Sequence, residues 1–111
     1  MKLSPDPEAE GWLERFGALS DDFDWDGGNR DKNLKHGVTD AEVESLFECP
    51  TVFMGRIIEP RADEWRGLLL GKDSQDRLVA LIFTIRDKQL RPISCRPMRA
   101  QEKTKYEEET R

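Results

Sequence analysis

The near-continuous apolar run Leu78-Val79-Ala80-Leu81-Ile82-Phe83-Thr84-Ile85 constrains this chain most. It predicts a central strand, because a strand covered on both faces has no polar side to present. The polar stretch Gly71–Asp76 leads into it, and Asp87-Lys88 makes a tight turn out of it into Gln89–Cys95. There Leu90, Ile93 and Cys95 are the candidates for burial. Thr51–Met54 and Trp65–Leu70 supply the earlier strands of an antiparallel meander.

Ahead of the meander the apolar spacing becomes helical. Ala9, Trp12, Leu13 and Phe16 predict a short amphipathic helix over Pro7–Leu19, capped by Asp6 or Ser4 with Pro7 in the permitted first turn. Phe23-Asp24-Trp25 predicts a short strand. Asp26 then caps a helix running to about His36, and Gly37 stops it by accepting a left-handed conformation. Thr39-Asp40-Ala41-Glu42 has capping-box form and opens a helix with Val43, Leu46 and Phe47 on one face, ended by Pro50. A polar helix over Arg99–Glu109, containing Tyr106, closes the chain. Helices, then a meander, then a last helix make an α+β domain.

The 111 residues suffice for one domain. With 37% charged residues the core is small, yet three Trp and five Phe argue against disorder. No apolar run approaches the roughly 18 residues of a membrane span, and Met1–Pro5 lacks the apolar stretch of a signal peptide. A soluble, cytoplasmic protein is expected, with no membrane association. Cys49 and Cys95 fit no metal-ligand spacing and are expected to be free, partly buried thiols. With one histidine and no CxxC pair, no structural metal is expected.

Charge is unevenly placed. The net value is −5, but residues 1–26 hold two basic residues against eight acidic ones, and residues 86–105 hold seven basic against two acidic. Screening limits the reach of distant charges to about 10 Å, so a polyanion responds to the local basic stretch rather than to the total.

Three clusters could carry chemistry. Lys35-His36 sits at an expected helix end, where a cation also suits the helix dipole; an imidazole there can relay protons and Lys35 can face a phosphate. Arg91, Arg96 and Arg99 lie on the last strand and the start of the last helix. They form either a solvated basic face or a phosphate contact, and Arg96, beside Pro97, is the one held where strand meets helix. Glu64-Trp65-Arg66 places a carboxylate and a guanidinium two apart, on one face of a strand, as a surface ion pair or as a base with its cation. Gly27-Gly28 is no dinucleotide fingerprint, and no phosphate-binding loop, HExxH or GxSxG motif occurs.

In order along the chain, Trp25-Asp26, Lys32-Asn33-Leu34-Lys35-His36-Gly37-Val38, Thr39–Phe47, Glu64-Trp65-Arg66, Thr84-Ile85-Arg86, Ile93-Ser94-Cys95-Arg96, Arg99-Ala100-Gln101-Glu102 and Tyr106-Glu107 resemble the BrnT family of toxins over about residues 23–107. The resemblance implies a RelE-like fold, N-terminal helices on an antiparallel meander of three to five strands with a C-terminal helix. It divides the chain into an acidic N-terminal helical extension, 1–22, and a toxin domain, 23–111. It further implies metal-independent RNA cleavage and inhibition of translation, with no cofactor. The partners it implies are an RNA substrate, the ribosome and a neutralising BrnA-type antitoxin in a dimeric toxin–antitoxin complex.

On that resemblance His36 is the proton-transfer group, Lys35 and Arg96 stabilise the phosphate, and Glu64 is an alternative base. Lys32, Arg66 and Arg99 hold the RNA backbone, Tyr106 stacks a base or packs, and Glu102 orients Arg99. Cys95 and Pro97 depart from the family's small and basic residues. The alternative is a degenerate homologue that keeps only the antitoxin interface and a regulatory role; a free-standing DNA-binding regulator lacks any helix-turn-helix signal. The acidity of residues 1–26 also predicts that they dock on the basic stretch.

Overall fold

In the computed structural model, which describes residues 1–111, the elements run β1 (Lys2–Ser4), α1 (Pro7–Glu14), α2 (Asp40–Ser45), β2 (Val52–Glu59), β3 (Gly67–Lys72), β4 (Leu78–Arg86), β5 (Gln89–Pro97) and α3 (Ala100–Glu109). The strands form one five-stranded antiparallel sheet in sequence order, so the architecture is the expected α+β meander with a closing helix.

The apolar run becomes β4, interior to the sheet and covered on both faces. Its odd residues Val79, Leu81 and Phe83 join Leu69, Leu90 and Cys95 under the N-terminal half of the chain. Ala80 joins Leu68, Leu70, Met98 and Tyr106 beneath α3. The turn to β5 has positive φ at both Asp87 (50°) and Lys88 (67°), as a tight hairpin requires. Leu90 and Cys95 are fully buried, whereas Ile93, beside a register shift, is only half-buried.

Several local signals act as read. Asp6 Oδ1 accepts the Ala9 N–H at 3.1 Å, and Thr39 and Glu42 exchange the reciprocal capping-box bonds at 3.1 and 2.8 Å. Gly37 is left-handed (φ 75°).

Others yield to tertiary packing. The first helix ends at Glu14 rather than Leu19, because the chain reverses at Ala18 (φ 56°) and Phe16 packs on Phe23 and Phe47. Phe23 makes a single parallel bridge to Leu90, not a strand. The helix expected over Asp26–His36 is absent apart from one 3-10 turn, Lys32–His36. Gly27-Gly28 carries poor helix propensity, Asp26 Oδ1 takes the Gly28 N–H at 2.7 Å, and the side chains of Asn29 and Asn33 bond elsewhere.

The strands also differ in extent from the expected ones. The second runs on to Glu59 through a bulge at Gly55 (φ 125°), where an added Cβ would stand 2.6 Å from the Ser4 carbonyl oxygen of β1. The third begins at Gly67, two residues after Trp65. Lys2–Ser4 adds an edge strand beyond those expected. The first third of the chain therefore forms both borders of the sheet, β1 as the outer strand beside β2 and residues 23–33 along β5.

Candidate functional site

The outer edge of β5 presents backbone groups that need partners. Asp24 N–H donates to the Leu90 carbonyl at 2.9 Å, Asn29 Nδ2 donates to the Pro92 carbonyl at 2.9 Å, and Asn33 Oδ1 accepts the Cys95 N–H at 2.8 Å. Asn33 thus pins the Lys32–His36 turn against the end of β5. Its neighbours Lys32, Lys35 and His36 project outward and are exposed.

On the far side of His36, Arg77 closes the turn. Its Nη1 donates to the Gly37 carbonyl at 2.7 Å, its Nε to Asp73 at 2.9 Å, and its Nη2 stands 3.0 Å from Glu42. Burial opposes the guanidinium's charge, but Asp73 and Glu42 outweigh it and hold the arginine above its ordinary pKa. The Asp73 carboxylate is wholly buried and also accepts the Gln75 and Arg77 N–H groups, both at 2.9 Å.

His36 opens on a cavity of about 230 Å³ whose other polar members are Arg77 and Lys103, with Val38, Leu78, Val79 and Pro97 as its apolar wall. No carboxylate lines it. Lys103 makes no ion pair within the chain, in contrast to Arg77.

Arg96 lies next to Pro97 but is spoken for. Its two terminal nitrogens meet the two Glu102 oxygens at 2.7 and 2.9 Å, with only 16% and 11% of the two side chains exposed. Burial pushes the Glu102 carboxyl up, but the Arg96 guanidinium and the Arg99 N–H bring it below the usual glutamate range. Glu102 therefore orients Arg96, not the Arg99 side chain; it meets Arg99 only through the backbone N–H at 2.8 Å. The exposed Arg99 instead lines a separate hollow of about 210 Å³ with Met1, Leu3 and Met54.

Glu64 and Arg66 do come together, at 4.0 Å, in the loop before β3, and Glu64 also meets Arg86 at 3.1 Å. They border a hollow of about 490 Å³ with Arg61 and Asp63. This cluster sits at the Arg86 end of β4, whereas His36 faces Leu78 and Val79 at the other end. The nine-residue strand between them is roughly 25 Å long. Glu64 is thus no alternative to His36 at one phosphate.

Tyr106 is also misplaced by the base-stacking expectation. Its ring is 5% exposed beneath the sheet, and its hydroxyl donates to the Pro50 carbonyl at 2.8 Å. It packs.

The acidic first stretch does reach the basic one, through its last members. Arg91 is held by Asp26 at 3.0 Å through both nitrogens and by Asp24 at 3.5 Å, and Arg91 with the Gly28 N–H keeps Asp26 below the usual carboxylate range. No three His, Cys, Asp or Glu side chains gather as a metal-holding group, and no helix is long and apolar enough to cross a membrane. Both cysteines are free, Cys95 buried and Cys49 half-buried.

The sequence carries no signal that sets Arg77 and Lys103 beside His36. The Asp73-Ser74-Gln75-Asp76 segment carries an Asx-turn signal for the loop, but nothing in spacing ties Arg77 to Gly37 across 40 residues. Lys103, on a helix with few apolar residues, resembles any solvated lysine.

A family model described as "Ribonuclease toxin, BrnT, of type II toxin-antitoxin system" matches residues 25–102. No curated protein and no solved structure matches the chain.

Proposed function

The chain belongs to the BrnT family of ribonuclease toxins of type II toxin–antitoxin systems, and from that premise we propose that it is a cytoplasmic, metal-independent endoribonuclease with His36 as its proton-transfer group. The observation that carries this reading is the cavity in which an exposed imidazole stands beside an unpaired ammonium, Lys103, with no carboxylate to compete for a phosphate. Neutral imidazole takes the proton of the ribose 2′-hydroxyl as its oxygen attacks phosphorus. The bond to the 5′ oxygen breaks, and that oxygen gains a proton from imidazolium or water. Lys35 and Lys103 stabilise the charge on the phosphorane, and such groups contribute through prearranged electrostatics.

The remaining candidates serve at a distance. Arg96, closed on Glu102, fixes the junction of β5 and α3 and with it the helix that carries Lys103. Lys32 lies on the His36 turn and holds backbone close to the cut, while Arg66 and Arg99 hold it farther away. Translation stops because RNA is cut, on or off the ribosome, and a BrnA-type antitoxin neutralises the toxin in a dimeric toxin–antitoxin complex.

The test is cleavage of RNA by purified protein in excess EDTA, paired with growth arrest on induction. Wild type should cut and leave cyclic phosphate ends, and His36→Ala should lose about 10²–10⁴-fold in rate. Equal cleavage by His36→Ala removes the assignment, and loss of wild-type cleavage in EDTA removes metal independence.

A second reading is favoured by the pairing of Arg86, Arg91 and Arg96 with the chain's own Glu64, Asp26 and Glu102. Those pairs occupy the cations that a phosphate would seek, as in a homologue kept for antitoxin binding and regulation. Wild type that binds antitoxin but neither cuts RNA nor arrests growth would establish it.

A further inference from the structure

Two long-range side-chain bonds hold the turn that carries His36. One fixes Asn33 to the Cys95 N–H. The other fixes the Gly37 carbonyl to Arg77 at 2.7 Å. Only Leu34, Lys35 and His36 lie between these points, in the single 3-10 turn Lys32–His36, a geometry with poor hydrogen bonds and little stability of its own. Gly37 follows it in a left-handed conformation (φ 75°); its N–H closes back on the Leu34 carbonyl at 2.9 Å and the Val38 N–H on the Asn33 carbonyl at 3.1 Å, while the Gly37 carbonyl itself turns outward to Arg77.

Arg77 has unusual company for a half-exposed arginine. Its three kinds of nitrogen point to three segments, which are Asp73 in its own loop, Glu42 in the first turn of α2, and the Gly37 peptide. The fully buried Asp73 is in turn fixed by two backbone N–H groups of the loop. Two carboxylates offset its charge, and its nitrogens are already committed. Although it lines the cavity, it offers little to a phosphate.

We infer that Arg77 is a positioning residue for His36, a three-way latch that fixes the Gly37 peptide and so sets the imidazole over the cavity. The inference deepens the proposed function and rests on its reading of His36 as the reactive group. A planar guanidinium can serve three acceptors in divergent directions, which an ammonium on a flexible stem cannot do in the same geometry. A misplacement of about 1 Å at a reacting group can cost about 10²-fold in rate. The cost of releasing the latch should fall on kcat.

The experiment compares wild type with Arg77→Lys, Arg77→Gln and Glu42→Gln. The chain holds one histidine, so its imidazole gives a single, unambiguous NMR signal set. In Arg77→Lys the imidazole should become more mobile by relaxation, and the Gly37 and Val38 amides should exchange faster, while thermal unfolding stays cooperative. RNA cleavage should lose about 10–10²-fold in kcat with KM within about twofold. Adding Arg77→Lys to His36→Ala should cost nothing further. Glu42→Gln, which keeps the Gly37 bond, should give a smaller change in the same direction and covers the case in which neither Arg77 variant folds.

A raised KM with unchanged kcat would mean that Arg77 binds substrate, and an unchanged imidazole and unchanged amides would remove the latch. The NMR measurements need no cleavage. A wild type inert on RNA would therefore overturn the function while leaving the latch to be decided on its own.

Discussion

The side-chain oxygen of Asn33 accepts the backbone N–H of Cys95 at 2.8 Å across 62 residues of chain, and both groups are buried. This bond joins the Lys32–His36 turn to the edge of the sheet and supplies what a sixth strand would otherwise give β5. Asn33→Ala leaves a buried N–H without an acceptor, which should cost about 1–3 kcal/mol in urea unfolding. Exchange of the Cys95 amide should accelerate, and RNA cleavage should fall because the His36 turn loses an anchor. Unchanged stability together with an unchanged Cys95 amide would contradict this account of the bond.

What the sequence discloses is local, and what it conceals is mostly long-range. The Leu78–Ile85 run, the Thr39/Glu42 box, the Asp6 cap and the stop at Gly37 each depend on neighbours within a few residues, and each is realised. The helix expected over Asp26–His36 fails because Asn29 and Asn33 spend their side chains on β5, some 60 residues away. Lys2–Ser4 is too short for its alternation to stand out, and its pairing depends on the close approach that Gly55, some 50 residues on, allows the Ser4 carbonyl. For the site, the Lys35-His36 pair was legible, whereas the distance from it to Glu64 was not. Both clusters belong to one ordered set of motifs, and only the length of β4 separates them.

The Arg96–Glu102 pair makes the protein sensitive to acid. Glu102 is held below its ordinary value of about 4.5, against burial, by Arg96 and the Arg99 N–H; Glu42 is likewise lowered, chiefly by the Thr39 N–H. A carboxyl with a depressed folded pKa stabilises fully above its unfolded value, and that contribution disappears as pH falls through the folded one. The midpoint of thermal unfolding should be flat from about pH 7 to 5 and decline below about pH 4.5. Glu102→Gln should lower stability at pH 7 and flatten the decline. An equally steep decline in that variant would place the acid sensitivity elsewhere.

Cys95 should be chemically silent in the folded protein. Burial, reinforced by the Asp73 carboxylate, pushes its thiol up to about 12, and its side chain has no exposed surface. The thiolate is the reactive form, so at pH 8 a disulfide reagent should titrate one thiol in native protein, the half-buried Cys49, and two in denaturant. The slow appearance of the second thiol should track global unfolding measured by fluorescence. Rapid modification of Cys95 under native conditions would mean that the β5 edge opens locally near Asn33.

Tyr106 separates packing from RNA contact. Its hydroxyl spans from α3 to the Pro50 carbonyl ahead of β2, and its ring covers Leu68, Leu70 and Ala80. Tyr106→Phe removes one hydrogen bond and should cost about 0.5–1.5 kcal/mol, whereas truncation to alanine should cost about 3–5 kcal/mol, the range for large buried aromatic side chains. Because the ring offers no free face, Tyr106→Phe should bind and cut RNA with wild-type affinity and rate at temperatures where both proteins are folded. A fall in RNA affinity without a fall in stability would return Tyr106 to the RNA-binding surface and require α3 to lift from the sheet when RNA binds.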